Sequence, residues 1–201
     1  MRLKEEVDMR YPIITIGRQH GSGGRTVAEK VAKELGIPLY DKLLIQLIAK
    51  ESGFAEEYVK DTDMRRIQSF FYGMYIDSRN LPLEDQLYIA QSKVIKEVSE
   101  KGPCVIVGRC ADYVLRERKD VLNVFIHAPL EERIERVRDT YHEIEKDYKK
   151  YLNKMDKQRA NYYNHYTGKK WGASDGYHLV YSSDLGIDSI VKSIVRFAKG
   201  E

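Results

Sequence analysis

The first regular pattern in the chain begins after Pro12, where Ile13, Ile14 and Ile16 make a short β-branched run that ends at Gly17-Arg18. Branched side chains are stiff at χ1 and suit a pleated strand. Beyond the glycine-rich stretch Gln19-His20-Gly21-Ser22-Gly23-Gly24, Val27, Val31 and Leu35 recur every four positions with Ala28 and Ala32 beside them. That spacing gathers five small or apolar residues on one helical face, so the segment predicts strand, loop and helix with no linker. Gly36 then suits the left-handed cap, and Pro38 cannot extend the helix.

The alternation continues to the end of the chain. Ile37–Tyr40 predicts a short strand ending at Asp41; Leu43 to Ala49 and Glu56 to Met64 predict helices, and the aromatic tract 65–80, without clean periodicity, is placed over the substrate side of the cleft. Leu83, Leu87, Ala90, Val94, Ile95 and Val98 mark an amphipathic helix. The unbroken apolar run Cys104-Val105-Ile106-Val107 reads as a buried central strand ending at Gly108-Arg109, and Val121–Ile126 as the next. From Leu130 through Ile134, Val137, Tyr141, Ile144, Tyr148 and Tyr151 to Met155, alternating spacings of four and three predict one long helix. The segment either packs on the domain as an ordinary long helix or forms a helical hairpin or a surface between two copies. Tyr177–Tyr181 predicts a last strand, and Ile187, Ile190, Val191, Ile194 and Ala198 a closing helix. Strands separated throughout by helices predict a central parallel sheet in a three-layer α/β/α domain. The core spans about 11–130 and 175–200, with a helical insert at about 131–172.

Composition narrows this further. The 201 residues suit one domain with a full core. With 34 basic and 31 acidic residues the net charge is only +3, which does not point to nucleic acid as a partner. Cys104 and Cys110 fit neither a disulfide framework nor a metal or redox pair, and no apolar run reaches the roughly 20 residues of a membrane helix. The expectation is a cytoplasmic protein that does not engage membranes.

A glycine-rich loop opening on a helix N-terminus presents free N–H groups and the positive end of the helix dipole, and so suits phosphate. Two alignments to G-x-x-x-x-G-K-[ST] compete. If Gly24-Arg25-Thr26 stands for G-K-T, arginine replaces lysine; if Gly23-Gly24-Arg25 does, glycine replaces it. The bland alternative is a simple flexible turn. Asp41, at a strand's carboxyl end, faces the same cleft in a parallel sheet or caps the following helix. Arg109 is either a guanidinium fork for a phosphate or base, or a salt-bridge partner; Asp112 orients it or serves the helix start. Arg133, Arg136 and Arg138, with Lys157 and Arg159, offer charge that could close over phosphates. The aromatic stretch Tyr162 to Gly172 either stacks on a base or packs as a returning loop. No histidine has a metal partner at recognisable spacing.

Taken together, Gly21-Ser22-Gly23-Gly24-Arg25, Leu39-Tyr40-Asp41, Val107-Gly108-Arg109, Ala128 to Arg133 and Asp156 to Gly172 resemble the cytidylate kinase-like branch of the nucleoside monophosphate kinases. The resemblance implies a P-loop kinase fold with a helical lid, and transfer of the ATP γ-phosphoryl, with Mg²⁺, to a CMP- or dCMP-like nucleoside monophosphate. It implies that the amides of Gly21 to Thr26 hold the donor phosphates and that Thr26, through water, helps place the metal. Asp41, Arg109 and Asp112 would then bind the acceptor, and Arg133, Lys157 and Arg159 would serve the lid. Aligned this way, Gly24 occupies the lysine position and Val107 that of an aspartate. Arg18, Arg25 or Arg159 would supply the missing charge; otherwise the scaffold is a nucleotide-responsive binding module without catalysis.

Overall fold

The computed structural model describes residues 9–41 and 82–201. The helices expected at 43–49 and 56–64, and the tract 65–80, lie outside the described residues. In chain order the elements are β1 (Ile13–Arg18), α1 (Gly24–Leu35), β2 (Leu39–Tyr40), α2 (Leu83–Glu100), β3 (Cys104–Val107), α3 (Ala111–Val114), β4 (Val121–His127), α4 (Leu130–Glu135), α5 (Tyr148–Thr167), β5 (Leu179–Ser182) and α6 (Ile187–Lys199).

The sheet is parallel throughout, in the order β2-β3-β1-β4-β5. Its strands follow the two-residue alternation of a pleated chain. On one face Ile14, Ile16, Val105, Val107, Leu122, Val124 and Ile126 pack with the apolar stripes of α1 and α6. On the other, Ile13, Cys104, Ile106 and Val121 pack with Val94, Ile95 and Val98 of α2 and with α3. Thr15 also faces this second layer and donates its hydroxyl proton to Asn123 Oδ1 at 2.7 Å, across the β1–β4 pair. At about 1.5–3 kcal/mol for each fully buried aliphatic side chain, these two layers fix the sheet between its helices.

The first helix ends where the sequence places its stop. Gly36 adopts φ 67°, its N–H bonding back to the last turn, and Ile37 N–H follows to Ala32 O at 3.0 Å. β1 lies at the centre with β3 on one side and β4 on the other. The order in which strands are added therefore reverses around β1, and a crevice opens beyond the carboxyl ends of β1 and β3.

The long helix expected over 130–155 does not form as one piece. α4 passes into a single wide π-helical turn at Arg136–Thr140, the chain leaves helical geometry at His142 (φ 55°), and α5 starts afresh at Tyr148. Asp147 caps α5 by accepting the Lys150 N–H at 2.9 Å. Val137 and Leu152 are buried on either side of the break, whereas Ile144 is 95% exposed. The apolar positions of 130–155 therefore do not share one continuous helical face. Among the described residues no helix is long and apolar enough to cross a membrane.

Candidate functional site

Two adjoining cavities occupy the crevice, of about 300 Å³ and 400 Å³. Arg18, Asp41 and Arg159 line both. The larger is walled by the loop Gln19 to Arg25 with Tyr141 and Glu143; the smaller by Arg109, Asp112, Gln158, Tyr162, Tyr163 and Trp171 among others.

The loop is held from below by its own acceptors. Gln19 N–H bonds to Ile126 O, the Ser22 hydroxyl donates to Gln19 O at 2.9 Å, and the Arg136 guanidinium donates to Gly21 O at 2.7 Å. Gly21 sits at φ 74° with Arg133 O 2.9 Å from where a Cβ would lie, so no other residue fits beneath α4. With its carbonyls satisfied beneath it, the loop leads into α1, which has no acidic residue in its first turn and whose Gly24 N–H meets only the Ser22 hydroxyl oxygen, at 3.4 Å. The first N–H groups of a helix have no acceptor within it, so this end is an unneutralised positive pole beside the larger cavity.

Arg18 leaves the end of β1 and fills space that two glycines vacate. A Cβ on Gly24 would stand 2.6 Å from Arg18 Cβ, and one on Gly108 would stand 2.2 Å from Arg18 Nη1. The arginine stem therefore lies against Gly24, and its head reaches over the end of β3. Burial, with Arg159, Arg109 and Arg25 nearby, draws the Arg18 pKa down to about 10, against which only Asp41 acts. The group stays charged at neutral pH. Arg159 is likewise lowered, first by burial, despite Asp156. It donates to Arg18 O at 3.1 Å and contacts His20 Nδ1 at 3.1 Å.

Arg109 reaches the smaller cavity through a run of left-handed backbone: Gly108, Arg109 and Cys110 have φ of 71°, 58° and 56°. For the two non-glycine residues this costs about 1–2 kcal/mol apiece; the turn brings both into the cavity wall. Burial pushes the Cys110 thiol up to about 12, which leaves it unionised and inert at neutral pH. Asp112 accepts the Tyr163 hydroxyl proton at 2.6 Å, and burial raises its carboxyl above the ordinary range.

The remaining sequence candidates are placed differently. Arg25 is 59% exposed and pairs with Glu29 at 3.0 Å and Asp41 at 3.5 Å at the rim. Thr26 is partly buried in the first turn of α1. Arg133 is not poised over the cavity: it is buried, paired with Asp156, and donates to His20 O at 2.7 Å, clasping α4 and α5 to the loop. Lys157 is exposed and lines neither cavity. Arg138 is spent on Asp139 in solvent. The segment from Tyr162 to Thr167 is helix, not returning loop, and Tyr162, Tyr163 and Trp171 line the smaller cavity. His20, Gln158 and Tyr177, which motif spacing does not single out, also line the cavities. For His20 the available signal was its place inside the glycine loop. Among the described residues no group of three or more His, Cys, Asp or Glu side chains could hold a metal.

Comparison with known proteins gives a consistent picture. No curated protein matches the chain. A crystal structure of an uncharacterized protein from Eubacterium ventriosum ATCC 27560 is 29% identical, covers 94% of this chain and 99% of its own, and superposes with a TM-score of 0.72. A gluconokinase from Sinorhizobium meliloti 1021 shares 14% identity, with 95% and 96% of the two chains covered and a TM-score of 0.58. Shikimate kinase from Acinetobacter baumannii in complex with shikimate shares 15% identity, with 92% of each chain covered and a TM-score of 0.53. Those likenesses establish the α/β fold of P-loop kinases. The cytidylate kinase-like family model matches residues 13–185, and the chain belongs to that family.

Proposed function

We propose that this protein is a phosphotransferase that moves the γ-phosphoryl of ATP to a nucleoside monophosphate, of the cytidylate type by family resemblance. The observation that carries the reading is the gathering of Arg18 and Arg159 at the junction of two cavities, with Arg109 in the wall of the smaller, where burial and mutual repulsion lower the pKa of Arg18 to about 10. Buried cations that repel one another are stabilised by a polyanion. Phosphoryl transfer asks the protein mainly to position reactants and neutralise charge.

In this reading the larger cavity takes the donor's phosphates on the loop amides, and the smaller takes the acceptor on Arg109, with aromatic walls for its base. Arg18 and Arg159 stand where the two meet, and Arg18 supplies in place of lysine the charge that position 24 lacks. Arg25 tethers Asp41 at the rim.

Magnesium fits as an ion carried by the nucleotide, since no protein cage of three ligands exists among the described residues and this metal keeps several waters when phosphates bind it. Asp41 and, through water, Thr26 are the oxygens we assign to it. When bound, it would offset phosphate charge during transfer.

The test is ADP release measured with each nucleoside monophosphate in turn. Wild type turns over one or more of them, and Arg18→Ala loses a hundredfold or more in kcat, the usual cost of removing one preorganised donor, on the order of 10²–10³. Nucleotide binding with no turnover on any acceptor would instead assign the scaffold to the binding-module class.

A further inference from the structure

The imidazole of His20 is set in the glycine loop between two charged groups. Its Nδ1 lies 3.1 Å from the Arg159 guanidinium and its Nε2 lies 3.3 Å from Glu143 Oε2. Arginine has only donors. Nδ1 must therefore carry the lone pair, the ring proton resides on Nε2, and that proton points at Glu143. Tyr151 packs edge-on against the ring at 5.4 Å between centroids. The backbone of His20 is fixed at both ends: its N–H donates to Asp156 at 2.7 Å and its carbonyl accepts from Arg133. Ring and backbone are thus both immobilised, and the ring faces the one arginine that lines both cavities and also bonds to the Arg18 carbonyl.

We infer that His20 is a positioning residue for Arg159, its neutral ring holding the guanidinium over the phosphate loop and its protonation releasing it. A proton on Nδ1 would set two donors and two positive charges at 3.1 Å, and the bond cannot survive that. Facing the ring are Arg159 and Asp156 from α5, Tyr151 from α5, Glu143 from the break before it, and Arg133 from α4. Burial, then Arg159, lowers the pKa of the ring, while Glu143 and Asp156 oppose them. The neutral form is therefore the one present at physiological pH. The inference rests on the reading of the larger cavity as a phosphate site.

Binding of inorganic tripolyphosphate, measured by calorimetry from pH 7.5 to 5.0, tests it on wild type, His20→Asn and His20→Phe. Asparagine retains an acceptor near the Nδ1 position but cannot be protonated there; phenylalanine retains the ring and has no acceptor. Ligand ionisation is common to all three proteins and cancels in their ratios. At pH 7.5 His20→Asn binds within about threefold of wild type and His20→Phe about tenfold more weakly. Toward pH 5 wild type weakens by a further tenfold relative to His20→Asn. Parallel profiles for wild type and His20→Asn overturn the inference. If none of the proteins binds tripolyphosphate, the phosphate reading fails, and the His20 titration followed by NMR still decides the pairing. In Arg159→Met the pKa rises toward 6.5 if the contact holds, and stays where it is in wild type if it does not.

Discussion

Glycine at position 24 is a vacancy that Arg18 occupies, because a Cβ there would stand 2.6 Å from the arginine's own Cβ. A lysine introduced at that position would therefore collide with the Arg18 stem. Gly24→Lys is expected to destabilise the fold by about 1–3 kcal/mol through overpacking, read from urea denaturation midpoints. The double variant Arg18→Gly/Gly24→Lys should cost less than the two singles together, since the Cβ that the new side chain would meet has been removed. Additive losses would place Arg18 elsewhere. His20 carries a second residue-scale expectation. Its pKa is lower in the native state than the roughly 6.5 of an unfolded chain. The unfolded state therefore takes up a proton first as pH falls, so this contribution to stability is full above 6.5 and is lost as pH drops toward the native value. Wild type should lose stability relative to His20→Asn between pH 7 and 5 in denaturant titrations.

Among the elements, those built on one repeating period were legible. β1, α1 and the Gly36 stop follow from side-chain alternation, a four-residue spacing and one left-handed position. The break between α4 and α5 was not, because alternating spacings of four and three run across it undisturbed. Counting apolar positions cannot register that Ile144 lies in solvent while Val137 and Leu152 are buried. Asp147, a side-chain cap three residues before the N–H it accepts, was the local signal for a restart. Two expectations belong to this scale. Gly36→Ala must hold a φ of 67° with a Cβ, and should cost about 1 kcal/mol, visible as a lower thermal midpoint. Arg133→Met leaves Asp156 buried with its guanidinium partner gone and should cost about 3 kcal/mol, measured by denaturation; a neutral result would show that the clasp between α4, α5 and the loop is dispensable.

At the scale of the whole molecule, the positions at the carboxyl ends of the strands were legible in part. A parallel sheet places Arg18, Asp41 and Arg109 at one edge, and the structure brings them to one crevice. What the linear pattern does not carry is their long-range company. Arg159 and the tyrosines come from α5, more than a hundred residues after Arg18, and only the packing of α5 over β1 and the loop makes them neighbours. The chain's net charge of +3 gives no sign of this cluster of arginines. A ligand that neutralises the cleft should therefore stabilise the native state, by about 2.7 kcal/mol when present at a hundred times its Kd.

Calorimetric titration of MgATP into wild type, Arg18→Ala and Arg159→Met tests most directly whether the guanidiniums and the glycine loop form one polyphosphate site. The account predicts saturable binding to wild type, weakened at least thirtyfold in each variant while both remain folded. Equal affinity in all three proteins, or no binding to wild type, would contradict it.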